Sequence, residues 1–197
     1  MGVTPTTTIA LIRHGQTPWN AEFRIQGRTD IPLNDTGRKQ AQDAATTLGE
    51  GWHAIATSPL TRAAETARII AAELGLDSPT AVEHLVERDY GRAEGLGAGE
   101  ELESVRIPGG FQEAEPEVEV AARGLLALEH LRDTHPGHRV IAVAHGSFIR
   151  LTIASLFEFD APRIGNASVT VLTHDESGWE LQTVNGEPAR GLAARTD

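Results

Sequence analysis

Apolar runs alternate with stretches of three-to-four spacing along most of this chain. Thr7 to Arg13, built on the apolar run Ile9-Ala10-Leu11-Ile12, reads as a buried strand. A loop with Pro18, Gly27 and Pro32 leads to Gly37, and the spacing then predicts a helix over Arg38–Leu48. Ala54–Thr57 is a short strand. Leu60, Ala64, Ala67, Ala71 and Leu74 share one helical face; Ser58 suits the N-cap, Pro59 the first turn and Gly75 the C-terminal end. Ala81–Val86 reads as a strand, and 88–112, irregular and glycine-rich, as a long loop. A helix over Glu117–Arg132, a strand over Arg139–Ala144 and a helix over Gly146–Phe157 follow. Val169–Thr173 and Trp179–Val184 read as closing strands joined at Ser177-Gly178. Strand alternating with helix predicts an α/β fold: a three-layer sandwich around a mainly parallel sheet, in one domain spanning 1–197. The stretch from Gly186 to Asp197 reads as a loose tail, and a strand after Val169 as an exposed edge that could pair across a homodimer.

Composition narrows the function. The chain has 197 residues, no cysteine and a formal net charge of −11. Disulfides and cysteine-based metal or redox sites are excluded, and the lack of thiols fits a reducing, cytoplasmic setting. The acidic balance argues against nucleic acid and anionic membranes as partners. No apolar run approaches the roughly 20 residues of a membrane span. Met1-Gly2-Val3-Thr4-Pro5-Thr6 satisfies a loose myristoylation pattern, but no basic cluster follows to supply a second membrane signal. An anionic ligand would need a local cationic pocket, and the cations are almost all arginine: Lys39 is the only lysine.

Three strand-to-helix junctions could build that pocket. They are Arg13-His14-Gly15, Ser58-Pro59-Leu60-Thr61-Arg62 and Ala144-His145-Gly146-Ser147. Alone, a histidine after an apolar run caps a neighbouring turn, and Arg62 reads as a solvated helix residue. In a parallel sheet, however, all three junctions fall at the carboxyl ends of the strands, where ligands collect. Two arginines, two histidines and helix N-termini then converge on one spot suited to a phosphate. Gly15 is read here as the residue that lets the backbone bend. His53, His84, His130, His135, His138 and His174 share no such pattern and read as surface or packing residues. No metal site is expected, since no His-Glu-x-x-His helix is present and no carboxylate sits at ligand spacing from His14 or His145.

With these residues in place, the chain resembles the histidine phosphatase superfamily, which includes the cofactor-dependent phosphoglycerate mutases. The resemblance runs through Leu11–Asn20, Gln26-Gly27, Asp30, Pro32-Leu33, Gly37, Gln40-Ala41, Ser58–Ala63, Thr66-Ala67, Glu87–Gly91, Glu94-Gly95, His145-Gly146 and Asn166–Ser168. It implies His14 as the nucleophile that becomes phosphorylated, with Arg13, Arg62 and His145 holding the phosphoryl oxygens and Asn20 assisting. Glu87 becomes the proton donor, and Gln26 and Gly27 line the substrate entrance. Tyr90 and Gly146 complete the expected binding residues. Asp89 competes with Glu87 as the acid, because on a strand the two would share a face; the resemblance favours Glu87.

Departures from the mutases set the expected reaction. The interval from Glu87 to His145 is short, with no lysine and no adjacent arginines, and Ser147 stands where the mutases carry asparagine. Fewer cations in a more open pocket favour transfer to water. The expectation is therefore a cofactor-free, metal-independent phosphatase acting on a small phosphorylated metabolite. Mutase activity is the alternative, and a non-catalytic phosphate-binding module a third. Segment 92–115 is expected to be the lid that sets specificity, with Arg106 and Arg123 reading as solvated arginines.

Overall fold

The computed structural model describes residues 5–189. In chain order the elements are β1 (Thr7–Arg13), α1 (Pro18–Ala21), α2 (Asp35–Leu48), β2 (Ala54–Thr57), α3 (Thr61–Leu74) and β3 (Thr80–Ala81). Then come α4 (Glu100–Ser104), β4 (Arg106–Ile107), β5 (Gly110–Phe111), α5 (Glu117–Thr134), β6 (Arg139–Ala144) and α6 (Gly146–Phe157). β7 (Val169–Asp175), β8 (Gly178–Val184) and β9 (Glu187–Pro188) close the chain.

Among the described residues one sheet runs in the order β3-β2-β6-β1-β7-β8-β9. β3, β2, β6 and β1 are parallel, and β7, β8 and β9 add on antiparallel. Successive residues of the central strands supply opposite faces, as the period of two requires. Ile9 and Leu11 of β1 join Val140, Ala142 and Ala144 of β6 in a core with Leu128 of α5 and Phe148 of α6. Ala10, Ile12, Ile141 and Val143 point the other way, onto Ala44 of α2 and Ala63, Ala67 and Ile70 of α3. Strands covered on both faces read as continuous apolar runs, and burying each large aliphatic side chain contributes roughly 1.5–3 kcal/mol. The mainly parallel sandwich is thus as expected.

Several elements differ from the sequence reading. The strand expected over 81–86 is only Thr80–Ala81, because a 3₁₀ turn at Glu83–Leu85 takes the chain off the sheet edge. α3 begins at Thr61, and its cap comes from a distant residue: the Asp30 carboxylate accepts from the Thr61 N–H (2.9 Å) and hydroxyl. Ser58 is left for the site. Segment 88–112 contains the short helix α4 and the hairpin β4–β5. β7 is no free edge, being paired to β1 on one side and β8 on the other. Glu187–Pro188 pair with β8, whereas the rest of the expected tail, from residue 190, and the Met1–Thr4 part of the myristoylation pattern lie outside the described residues.

Candidate active site

Strand register assembles the site. β1 and β6 are parallel with Arg13 opposite Ala144, so the next residues, His14 and His145, leave the sheet side by side. Their rings stand 5.2 Å apart, centroid to centroid. β2 pairs Thr57 with Val143, which puts Ser58 beside the same corner, and Arg62 enters from the first turn of α3. The three junctions therefore do converge. Gly15 is required for a different reason than expected. Its φ is not positive; instead a Cβ there would lie 2.3 Å from the Gly37 carbonyl oxygen, so glycine permits close backbone approach.

His14 is buried and held by both ring nitrogens. Nδ1 faces the Gly15 carbonyl oxygen at 2.7 Å, and a carbonyl only accepts, so Nδ1 carries the proton. Nε2 then bears the lone pair, toward which Arg62 Nε–H donates at 3.2 Å. Burial first, then the charges of Arg62 and Arg13, hold His14 well below the ordinary histidine range. The surroundings favour the uncharged ring, the form nucleophilic attack requires. His145 is lowered likewise, by burial and then by Arg62. Its Nε2 lies 2.8 Å from Ser58 Oγ, while its buried Nδ1 has no partner. His14 is tied down behind by the Thr66 hydroxyl accepting from Gly15 N–H (3.0 Å) and by Asn166 Nδ2 donating to the His14 carbonyl (3.2 Å).

The cations are equally restrained. Arg62 is fully buried, with its terminal nitrogens donating to the carbonyls of Thr29 (3.0 Å) and Gly27 (2.6 Å). Burial lowers its pKa to about 10, against the opposing pull of Glu87 and Asp30, so it remains charged at neutral pH. Arg13 donates to the Ile164 carbonyl at 2.7 Å, leaving its buried Nε unpaired. Gln26 Oε1 accepts from the Thr17 hydroxyl (2.9 Å) and Asn20 Nδ2 (3.3 Å), which leaves the buried Nε2 as a free donor. Buried donors are rarely left unpaired. Here Arg13 Nε and Gln26 Nε2 are unpaired donors on residues that line one cleft with His14, and they suit an oxyanion; the unpaired Nδ1 of His145 belongs to the ring beside His14.

Glu87 lies opposite, in a stretch with no regular structure. Its Oε1 accepts from the N–H groups of Arg88 (2.8 Å) and Phe148 (2.9 Å), and Oε2 from that of Ser147 (3.1 Å). The carboxylate thus sits at the N-terminus of α6. Asp89 does not share its face. It turns back to accept from Gly91 N–H at 2.8 Å and lines no part of the cleft. Tyr90 does line it, with its hydroxyl 2.5 Å from Ser147 Oγ. So do Asn20, Gln26, Gly27 and Gly146; a Cβ at Gly146 would stand 3.2 Å from Arg13 Nε. Gly27 has φ +56, and a Cβ there would strike the Glu94 carboxylate.

The cleft holds about 290 Å³ and has walls the sequence did not announce. Phe23, Arg24, Arg150, Arg163 and Ile164 are among its lining residues. Arg150 follows Gly146 by one helical turn and so shares its face, a spacing that could have marked it; Arg163 lies in the loop after α6, where no local pattern points to a site. Segment 92–115 contributes no lining residue. It backs the wall instead, through Glu94, whose carboxylate accepts from the N–H groups of Arg28, Thr29 and Tyr90. Nor is Arg123 solvated: it pairs with Glu115 at 2.8 Å.

This geometry agrees with the comparisons to known proteins. Residues 9–187 match the histidine phosphatase superfamily (branch 1), and the chain belongs to that family. It is 34% identical to an uncharacterized phosphatase, PhoE, of Bacillus subtilis over 91% of this chain and 94% of the relative. It is 37% identical to a metal-independent phosphoserine phosphatase of Arabidopsis thaliana over 90% of this chain and 80% of that one. A phosphoglycerate mutase-like protein of the same plant also matches. Among solved structures, the phosphoserine phosphatase of Entamoeba histolytica in complex with 3-phosphoglyceric acid superposes with a TM-score of 0.79 at 26% identity, covering 91% of this chain and 97% of that one.

Proposed function

We propose that this protein is a phosphatase that hydrolyses small phosphomonoesters through a phosphohistidine at His14. The observation that carries it is His14, protonated at Nδ1, whose Nε2 lone pair meets Arg62 beside the unpaired buried donors Arg13 Nε and Gln26 Nε2. A phosphoryl group entering there meets nucleophile and cations together. His14 Nε2 attacks phosphorus, the ester P–O bond breaks, and Arg13, Arg62, His145 and Gln26 take up the charge on the equatorial oxygens. Asn20 orients the Gln26 amide. Glu87, whose carboxyl lines the same cleft, gives a proton to the leaving oxygen. It then takes one from the water that attacks the phosphohistidine, which restores the starting state.

Two further arginines that line the cleft, Arg150 and Arg163, exceed what one phosphoryl group needs. They favour a leaving group that carries a carboxylate, as phosphoserine and 3-phosphoglyceric acid do. A cysteine-free chain also suits the reducing cytoplasm. The test is inorganic phosphate release across a panel of phosphorylated metabolites, with His14→Ala as control. The wild type should turn over part of the panel and form an acid-labile phosphoenzyme, and the variant should do neither. Full turnover by the variant would overturn the mechanism.

A further inference from the structure

The first-turn N–H groups of α6 hold the Glu87 side chain, but its backbone lies in neither a strand ladder nor a helix and must be fixed by other means. The backbone groups around it are satisfied by side chains from elsewhere. Arg123 of α5 donates to the carbonyls of His84 (3.0 Å) and Val86. The same guanidinium grips the Glu115 carboxylate with two nitrogens, at 2.8 and 3.0 Å. Glu115 in turn accepts from the Asp89 N–H at 3.1 Å, and its own N–H donates to the Asp89 carbonyl at 2.8 Å. Its carbonyl receives Arg88 Nε at 2.9 Å. Arg28 adds a second cation, reaching the Glu115 carboxylate and the Glu87 carbonyl, both at 3.4 Å. Arg123 also lies over the Phe148 ring, 5.4 Å from its centroid, and Phe148 N–H is one of the donors to Glu87 itself. A two-pronged guanidinium–carboxylate pair is among the stiffer polar contacts a protein can make.

We propose that the Glu115–Arg123 pair is a positioning clamp for the proton donor, fixing Glu87 relative to the leaving oxygen without touching substrate. The proposal rests on the reading of Glu87 as that donor. Such a clamp has a signature that a purely structural pair lacks. A general acid matters when the leaving oxygen is a poor leaving group and hardly at all when it is a good one.

The experiment compares glycerol 3-phosphate, which expels an alkoxide, with p-nitrophenyl phosphate, which expels a stabilised phenolate. Arg123→Ala should lower kcat/KM for the alkyl ester roughly ten- to hundredfold, part of the 10²–10⁴ a positioned acid supplies, and for the nitrophenyl ester less than about threefold. Retained nitrophenyl turnover also shows that the variant has folded. Glu115→Gln, which keeps the side-chain volume, should give the same split and serves if Arg123→Ala does not fold. Equal losses on the two esters, or no loss on either, would overturn the clamp. Glu87→Gln, run in parallel, separates the two readings. It should show the larger split; if it shows none, Glu87 is not the donor and the clamp loses its purpose.

Discussion

At His14 the ring's protonation state is a consequence of where it lies. Burial and two neighbouring guanidiniums oppose a positive charge on it, and His145 shares the same surroundings. The unfolded chain, whose histidines titrate near 6.5, takes up protons that the native site refuses. The sign follows directly: both folded values lie below the unfolded one. Stability from this source is complete above about pH 6.5 and erodes as pH falls below it. An NMR titration of the two rings from about pH 8 to about pH 5.5 should show both remaining neutral. Urea midpoints measured at the two ends of that range should fall toward acid. A His14 ring that titrates at or above its ordinary value would contradict this account.

Helix α6 does two jobs at the scale of an element. Its first-turn N–H groups hold Glu87, and one turn later the same face presents Arg150 to the cleft, with Arg163 just beyond the helix. Arg150 lies 3.6 Å from Glu117 of α5, a loose pairing for a cation on a cleft wall. Replacing both arginines by glutamine should therefore lower kcat/KM for 3-phosphoglycerate about tenfold more than for glycerol 3-phosphate, about 1.4 kcal/mol of selective binding. These esters differ chiefly in a carboxylate against a hydroxymethyl group, so equal losses would remove the arginines from substrate selection. Elements also explain what could be read beforehand. β1, β2 and β6 are buried, continuous and parallel, so their carboxyl ends had to meet, and with them His14, Ser58, Arg62 and His145. The 3₁₀ turn after β3, the cap that Asp30 supplies to α3 and the Arg123 grip on 84–86 were not legible. The cap and the grip join segments far apart in the chain, and the turn closes on local i to i+3 bonds without a periodic signature. Ser58 shows the difference well: its position was legible as a helix start, but its bond to His145 follows only from register.

Across the whole molecule the open question of chemistry is where the phosphoryl group goes after His14. Transfer to a second substrate requires water to be kept from the phosphohistidine and a carboxylated intermediate to be gripped while it reorients. The chain meets neither demand through 92–115, which lines no part of the cleft and carries no lysine. Its β4–β5 hairpin stands outside, where Arg106 pairs with exposed Glu103 at 3.0 Å and Ile107 is exposed. The walls come instead from loop 23–27, Tyr90, α6 and Arg163–Ile164. An acidic chain of net charge −11 also has no broad positive field to retain an anionic intermediate once it leaves the arginines. Hydrolysis should then win over transfer. With 3-phosphoglycerate as substrate, release of inorganic phosphate should outpace formation of 2-phosphoglycerate, and adding the bisphosphate that primes mutases should not reverse the order. Following both products in one reaction by phosphorus NMR gives the ratio directly. Isomerisation faster than release would mean that the site closes around its intermediate, and the balance of transfer over hydrolysis would have to be assigned the other way.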